Sequence, residues 1–333
     1  MLREVWPFVD AHRRSGRPVA LARLIDRDGP GARPLGATLA TAEDGTWRGS
    51  LSGGCVEGIV LEAARAVLAG GSPEIIAVNP GEQLLPWEEA PVCAGELRVL
   101  ITAAPPDPVH GAITTALAED RVLAVRVGLR PPYAWATAAE PGRLPDDGPA
   151  FTEELAVRPK LVLAGATDLA AILAVLAVPL QRRVVIVDPR VGHVTSGAFP
   201  GTAEVVRAWP DDWIAAHPLT ESDAVVSLSH DPRIDDRALR AALAGPAGYV
   251  AALGSRATHT QRLRRLADAR GVERLIGPAG LDLGGASLAE SALSILAELA
   301  AVTNGRDGRR LRDGTHRIHA ERLTAESAAR HVV

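Results

Sequence analysis

Cys55 is one of two cysteines in 333 residues, and it follows a glycine pair in Ser50-Leu51-Ser52-Gly53-Gly54-Cys55-Val56-Glu57. The apolar positions Val56, Ile59, Val60, Ala63 and Val67 recur at helical spacing until Gly70-Gly71, which predicts a helix starting at or beside the cysteine. A sulfur so placed has two readings. Unpaired amide N–H groups and the positive end of a helix dipole stabilise a thiolate over a thiol. Gly53 and Gly54, free to take positive φ, would let N–H groups gather round an anion such as a phosphate. On this reading Ser52, Gly53, Gly54 and Cys55 bind an anionic ligand. The same residues equally suit a tight turn ahead of a buried cysteine, since free cysteine is among the most buried residue types.

A second set of candidates lies further on. The turn Gly165-Ala166-Thr167-Asp168-Leu169-Ala170 follows an apolar run, as the glycine turn of a dinucleotide-binding unit would, but only its first glycine is present. Asp168 would bring a carboxylate to any phosphate there. Asp188 closes the next apolar run, where an acidic residue would receive ribose hydroxyls; it also suits a plain turn. His230 beside Asp231 has the composition of an acid or base, or of a turn and helix cap ahead of Pro232. Ser255 and Arg256 suit an anion, or a solvated helix start. Cysteine and histidine spacings do not form a zinc motif.

The elements that carry these residues fall into two rhythms. Lys160–Ala164, Val184–Asp188, Ala224–Leu228 and Tyr249–Leu253 read as strands alternating with helices at Asp168–Val178 and Ile234–Leu243, the pattern of a Rossmann-like, doubly wound parallel sheet. Thr258 with Gln261, and Ser287 with Glu290, have capping-box spacing at the starts of the next two helices. Upstream, Val19–Ile25, Ala37–Thr41, Ile75–Val78 and Leu97–Ile101 read as strands of a mixed α+β domain, with helices near the start and after Cys55. The expected organisation is an α/β chain: an N-terminal domain over 1–130, a Pro- and Gly-rich linker over 131–157, the Rossmann-like domain over 158–305 and a charged tail over 306–333.

Hydrophobic residues make up 47% of the chain and aromatics only 3%, so its cores are built from Ala, Val, Leu and Ile, as suits helices on a parallel sheet. A net charge of -4 argues against a nucleic-acid partner. No uncharged run reaches membrane-spanning length. Two cysteines and no export signal place the chain in the reducing cytoplasm, and symmetry favours a homodimer.

Several separated stretches, in order, resemble the xanthine dehydrogenase accessory protein family, XdhC/CoxI. They are Arg33-Pro34-Leu35-Gly36-Ala37, Gly49 to Glu57, Val92-Cys93-Ala94-Gly95-Glu96, His230 to Asp235, Tyr249 to Thr258 and Gly277 to Gly284. The resemblance covers most of the length. It implies a maturation factor rather than a redox enzyme: a chaperone that binds molybdenum cofactor (molybdopterin), protects it while a sulfido ligand is installed with a cysteine desulfurase, and delivers it to a xanthine dehydrogenase-type apoenzyme. It makes Cys55 the contact with molybdenum or sulfur and Cys93 its partner. Gly165, Asp188, His230, Asp231, Ser255 and Arg256 then form a nucleotide or pterin site. The family has glycine and histidine where this chain has Thr167 and Asp168. The alternative is an NAD(P)-dependent oxidoreductase built on the C-terminal domain.

Overall fold

The computed structural model describes residues 1–28, 33–79, 95–195, 199–315 and 318. The chain folds as two compact units, Met1–Val157 and Arg158–Val333.

The first unit contains α1 (Leu2–Arg14), β1 (Val19–Arg27), β2 (Thr38–Ala42), β3 (Trp47–Gly49), α2 (Glu57–Leu68), β4 (Glu74–Val78), β5 (Leu97–Ala103), α3 (Asp107–Ala118), β6 (Leu123–Gly128), β7 (Trp135–Ala138) and β8 (Ala150–Leu155). Five strands form an antiparallel sheet in the order β3-β2-β1-β5-β4, and β7-β6-β8 form a second. β1 is central and apolar on both faces. Ala20, Ala22 and Leu24 pack against Val56, Val60 and Ala64 around α2, while Val19 and Leu21 pack against Leu2, Val5 and Val9 of α1 and against Ile113 and Val125. Burial of Val56, Val60 and Ala64 thus fixes α2 and the loop that enters it.

The stretch 131–157, expected as a linker, instead carries β7 and β8, each paired with β6. Its prolines and glycines occupy the connections between short strands, and Trp135 and Phe151 lie over the buried guanidinium of Arg23. The change of unit falls at Val157 and Arg158.

The second unit contains β9 (Lys160–Ala164), α4 (Asp168–Ala177), β10 (Arg183–Val187), α5 (Val191–Val194), β11 (Ala203–Val206), α6 (Pro210–Ala216), β12 (Ala224–Ser227), α7 (Pro232–Ala244), β13 (Tyr249–Ala252), α8 (Arg256–Arg265), β14 (Leu275–Ile276) and α9 (Leu288–Thr303). Its six strands are all parallel, in the order β11-β10-β9-β12-β13-β14. One face is covered by α4 and α9 through Leu169, Leu173, Ile295 and Leu299, the other by α6 and α7 through Trp213, Leu239 and Leu243. The chain leaves β9 towards β10 on one side and later returns to β12 on the other, so the strand order reverses between β9 and β12. The carboxyl ends around such a reversal are where open α/β sheets hold ligands.

Helix caps agree with the sequence at α9, where Ser287 and Glu290 form the reciprocal capping box. They differ at α8. Ser255 is the cap, its hydroxyl accepting from the Thr258 amide, so Thr258 lies within the helix instead of starting it. Among the described residues, no helix is long and apolar enough to cross a membrane.

Candidate functional site

The loop from β3 into α2 is built around Glu57, the first residue of the helix. Its carboxylate turns back into the loop. Oε1 accepts from the Ser50 hydroxyl (2.7 Å) and the amides of Leu51 (3.0 Å), Ser52 (3.1 Å) and Gly53 (3.3 Å). Oε2 accepts from the Ser52 hydroxyl (2.7 Å) and the Val56 amide (3.2 Å). The serines extend this shell: Ser52 Oγ accepts from the amides of Cys55 and Val56, and Ser50 Oγ from that of Gly53. Glu57 is only 6% exposed. Burial alone would raise its pKa, but donation from Ser50, Ser52 and Leu51 outweighs burial and holds the carboxyl at about 2.

This corrects the expectation of an open N–H nest. The amides of Leu51, Ser52, Gly53 and Val56 already surround an anion, and that anion belongs to the chain. A phosphate brought to them would meet a carboxylate. The amide of Cys55 itself donates to Ser52 Oγ.

What the loop presents outward is sulfur. Cys55 is exposed, while its neighbour Val56 is anchored in the core. Gly53 and Gly54 have φ of +94° and +130°, and a Cβ at either would meet nothing within 4 Å. The glycines therefore carry the chain through left-handed turns and leave open space at the two positions before Cys55. The reading of Cys55 as a buried turn cysteine is excluded. Cys93 lies outside the described residues. Among the described residues, no group of three or more metal-ligating side chains occurs.

In the second unit, Gly165, Asp188, His230, Asp231 and Ser255 lie in loops at the carboxyl ends of the strands, and Arg256 starts the helix after β13. Several of them are already occupied. Asp188 is fully buried, and its carboxylate accepts from the Ala166 amide (2.8 Å) and from the Arg190 amide (2.9 Å), Nε (2.9 Å) and Nη2 (2.6 Å). Burial pushes its pKa up, but the bonds from Arg190 and Ala166 outweigh that and lower it. Asp188 is therefore not presented to a ribose; it fastens the turn after β9 to the loop after β10. Gly165, at φ +121°, lies so close to the loop after β12 that a Cβ would come within 2.7 Å of the Ser229 amide nitrogen.

His230 and Asp231 do not act as a pair. Asp231 caps α7 by accepting from the Arg233 amide and is bound by Arg233 Nε (3.0 Å) and Nη2 (2.7 Å). Those bonds hold its carboxyl at about 2. His230 is exposed and in the left-handed region at φ +60°. Arg256, the first residue of α8, is exposed and has no acidic partner among the described residues.

Sequence reasoning missed Glu57 and Arg190 as the groups that fill these sites. Each had a signal: an acid at the first helical position after two serines and two glycines, and an arginine two residues after the strand-ending aspartate.

Residues 12–79 match the XdhC and CoxI family, and residues 161–299 match the XdhC Rossmann domain. The chain belongs to the XdhC/CoxI family. Cys55 and its loop lie within the first matched region and the strand-end loops within the second. A molybdenum cofactor insertion chaperone, PaoD, of Escherichia coli (strain K12) is 26% identical over 295 residues, covering 86% of this chain and 84% of its own. A protein of Bacillus subtilis (strain 168) described as a probable xanthine dehydrogenase subunit is 28% identical over 149 residues, covering 45% of this chain and 44% of its own. A crystal structure described as a xanthine dehydrogenase from Bacillus halodurans superimposes with a TM-score of 0.75 at 22% identity, covering 93% of this chain and 98% of that one. At that identity the likeness shows a shared fold.

Proposed function

We propose that this XdhC/CoxI-family chain binds molybdenum cofactor as cargo, supports its sulfuration together with a cysteine desulfurase, and delivers it to a xanthine dehydrogenase-type apoenzyme in the cytoplasm. The observation that carries this reading is the exposed sulfur of Cys55, held on a loop braced by Glu57 and bordered by open space at Gly53 and Gly54. Thiolate is a soft ligand suited to molybdenum. The similarity to PaoD along most of both chains supports the cargo's identity.

The residues fit this cargo in one respect and not in another. Cys55 can reach a metal from the surface, whereas the loop amides are engaged by Glu57 and do not receive the cofactor's phosphate. Cys55 is therefore the metal contact, and Gly53 and Gly54 supply clearance. Asp188 and the turn at Gly165 are filled from within, and this geometry does not favour NAD(P) chemistry as a second reading.

The test is copurification. Protein from cells making the cofactor is assayed for molybdenum and pterin, and for activation of a xanthine dehydrogenase-type apoenzyme, beside Cys55→Ala. The expected result is near-stoichiometric cofactor on the wild type and loss of most of it, with most of the activation, in the variant at an unchanged thermal midpoint. Equal retention and activation by the two proteins would reject the role of Cys55.

A further inference from the structure

We propose that the outward face of α4 and α9 is an interface between two copies of this chain, joined about a two-fold axis. The inference stands on the packing of the second unit and does not rest on the cofactor reading.

The two faces of the parallel sheet meet water differently. Over α6 and α7 the outer helix positions carry ion pairs: Arg237 with Asp211 (2.8 Å), Arg240 with Asp268 (2.7 Å) and Arg265 with Asp236 (2.7 Å). On the other face α4 and α9 lie side by side and present apolar side chains instead. Every residue from Leu169 to Leu180 is apolar, and a helix apolar on all sides belongs in an interior. Leu169, Leu173 and Ala177 pack against the sheet. Val175 is nevertheless 54% exposed, Val178 and Leu180 45%, and Leu176 36%. From Ala292 onward α9 uses its polar side chains inwardly or towards the loop before it. Ser294 Oγ donates to the Leu281 carbonyl, Glu298 accepts from the Tyr249 hydroxyl (2.7 Å) and the Gly280 amide (2.8 Å), and Thr303 Oγ1 donates to the Leu299 carbonyl (2.7 Å). Its outward positions, at helical spacing, are Leu293, 55% exposed, and the partly exposed Ala297, Ala300 and Ala301.

Area and shape select a second copy as the occupant. The exposed valines and leucines with the alanines beside them amount to roughly 500 Å² of apolar surface, near the upper end for the largest such patch on a monomer. A standard interface takes about 800 Å² from each partner, about two-thirds of it apolar where the partners are identical, which is again about 500 Å². The shape is self-complementary. α4 offers a ridge of branched side chains at Val175, Leu176 and Val178, and α9 offers a floor of methyl groups from Ala297 to Ala301. A two-fold axis sets the ridge of each copy on the floor of the other, so one surface supplies both halves of the contact. The outward positions carry no charge that would orient an acidic or basic partner.

The full chain is followed by sedimentation equilibrium from nanomolar to micromolar concentration, beside Val175→Glu, Leu293→Glu and, as a control on α8, Leu263→Glu, at a side chain 37% exposed. The wild type is expected at twice the mass of one chain in the upper range, dissociating on dilution. A carboxylate at 175 or 293 enters the interface once from each copy, so each of those variants is expected to weaken association about a hundredfold or more. Leu263→Glu is expected to associate as the wild type does, and so is Cys55→Ala. Val175 and Leu293 are about half exposed in one chain, so both glutamate variants are expected to keep the far-UV circular dichroism of the wild type. Should either misfold, the double change Val175→Ala with Leu293→Ala makes the same test by removing apolar area, with an expected weakening of about tenfold or more. A wild type that stays a single chain at micromolar concentration overturns the proposal, whether the face then serves a different protein or none. A dimer that the variants at 175 and 293 leave intact, or that Leu263→Glu disrupts equally, overturns it as well.

Discussion

Glu57→Gln is the most direct test of how the Cys55 loop is held. The carboxyl lies at about 2 against an ordinary value of 4.5, and a depression of that size corresponds to about 3 kcal/mol favouring the ionised, folded arrangement. The sign follows from a folded pKa below the unfolded one. The contribution is complete above about pH 5 and is lost as pH falls towards 2, when the unfolded state takes up the proton first. Glutamine keeps one acceptor oxygen for Ser50, Leu51, Ser52 and Gly53 but places an NH2 against the Val56 amide and the Ser52 hydroxyl, which donate to Oε2 in the wild type. Two readouts isolate this loop. Carbon NMR of the Glu57 carboxyl should titrate near pH 2. Protection factors of the amides of residues 51–53 and 56, measured at neutral pH and corrected for intrinsic exchange, should fall about a hundredfold in Glu57→Gln, the equivalent of about 3 kcal/mol of local opening. In the wild type the same protection should decline between pH 5 and 2. A midpoint near 4.5, or unchanged protection in the variant, would refute the claim that Glu57 fills the nest.

Two other substitutions probe the supports of each unit. Gly165→Ala places a Cβ within 2.7 Å of the Ser229 nitrogen at a φ of +121°; a loss of about 2 kcal/mol or more in the second unit is expected by denaturant unfolding, and an unchanged midpoint would contradict the close approach. Glu153→Gln leaves the fully buried Arg23 without its carboxylate partner, an expected cost of about 3 to 5 kcal/mol in urea unfolding. The double change Arg23→Leu with Glu153→Leu should cost less than the single one, and a larger loss in the double would show that the pair itself is the stabilising element.

Much of the scaffold is legible in the spacing of apolar residues. Val56, Val60 and Val67 announce α2 because their side chains face the sheet at helical spacing, and the strand runs of the second unit announce a parallel sheet because both of its faces are covered. The departures share a physical cause: they depend on where a polar side chain turns or which strand a short segment finds. Thr258 and Gln261 have the spacing of a capping box, but Ser255 offers the same oxygen three residues earlier and takes the Thr258 amide. The prolines and glycines of 131–157 suggest a linker, whereas the strands between them are short and find their partner in β6. Asp188 stands where a ribose-binding acid would, yet Arg190 is near enough in sequence to claim it.

One physical fact displaces both expected anion sites, and it changes where charge compensation must come from. A run of glycine and serine before a helix suits a ligand's anion, but it accepts any carboxylate that can reach it, and an intramolecular one incurs no association entropy. Glu57 reaches the loop from the residue that starts α2, and Asp188 reaches Ala166 from the neighbouring strand end. An external phosphate would have to displace a carboxylate held by several hydrogen bonds at either place. What the Cys55 loop leaves for a ligand is therefore its exposed sulfur, the group on which the proposed function rests, and not its amides.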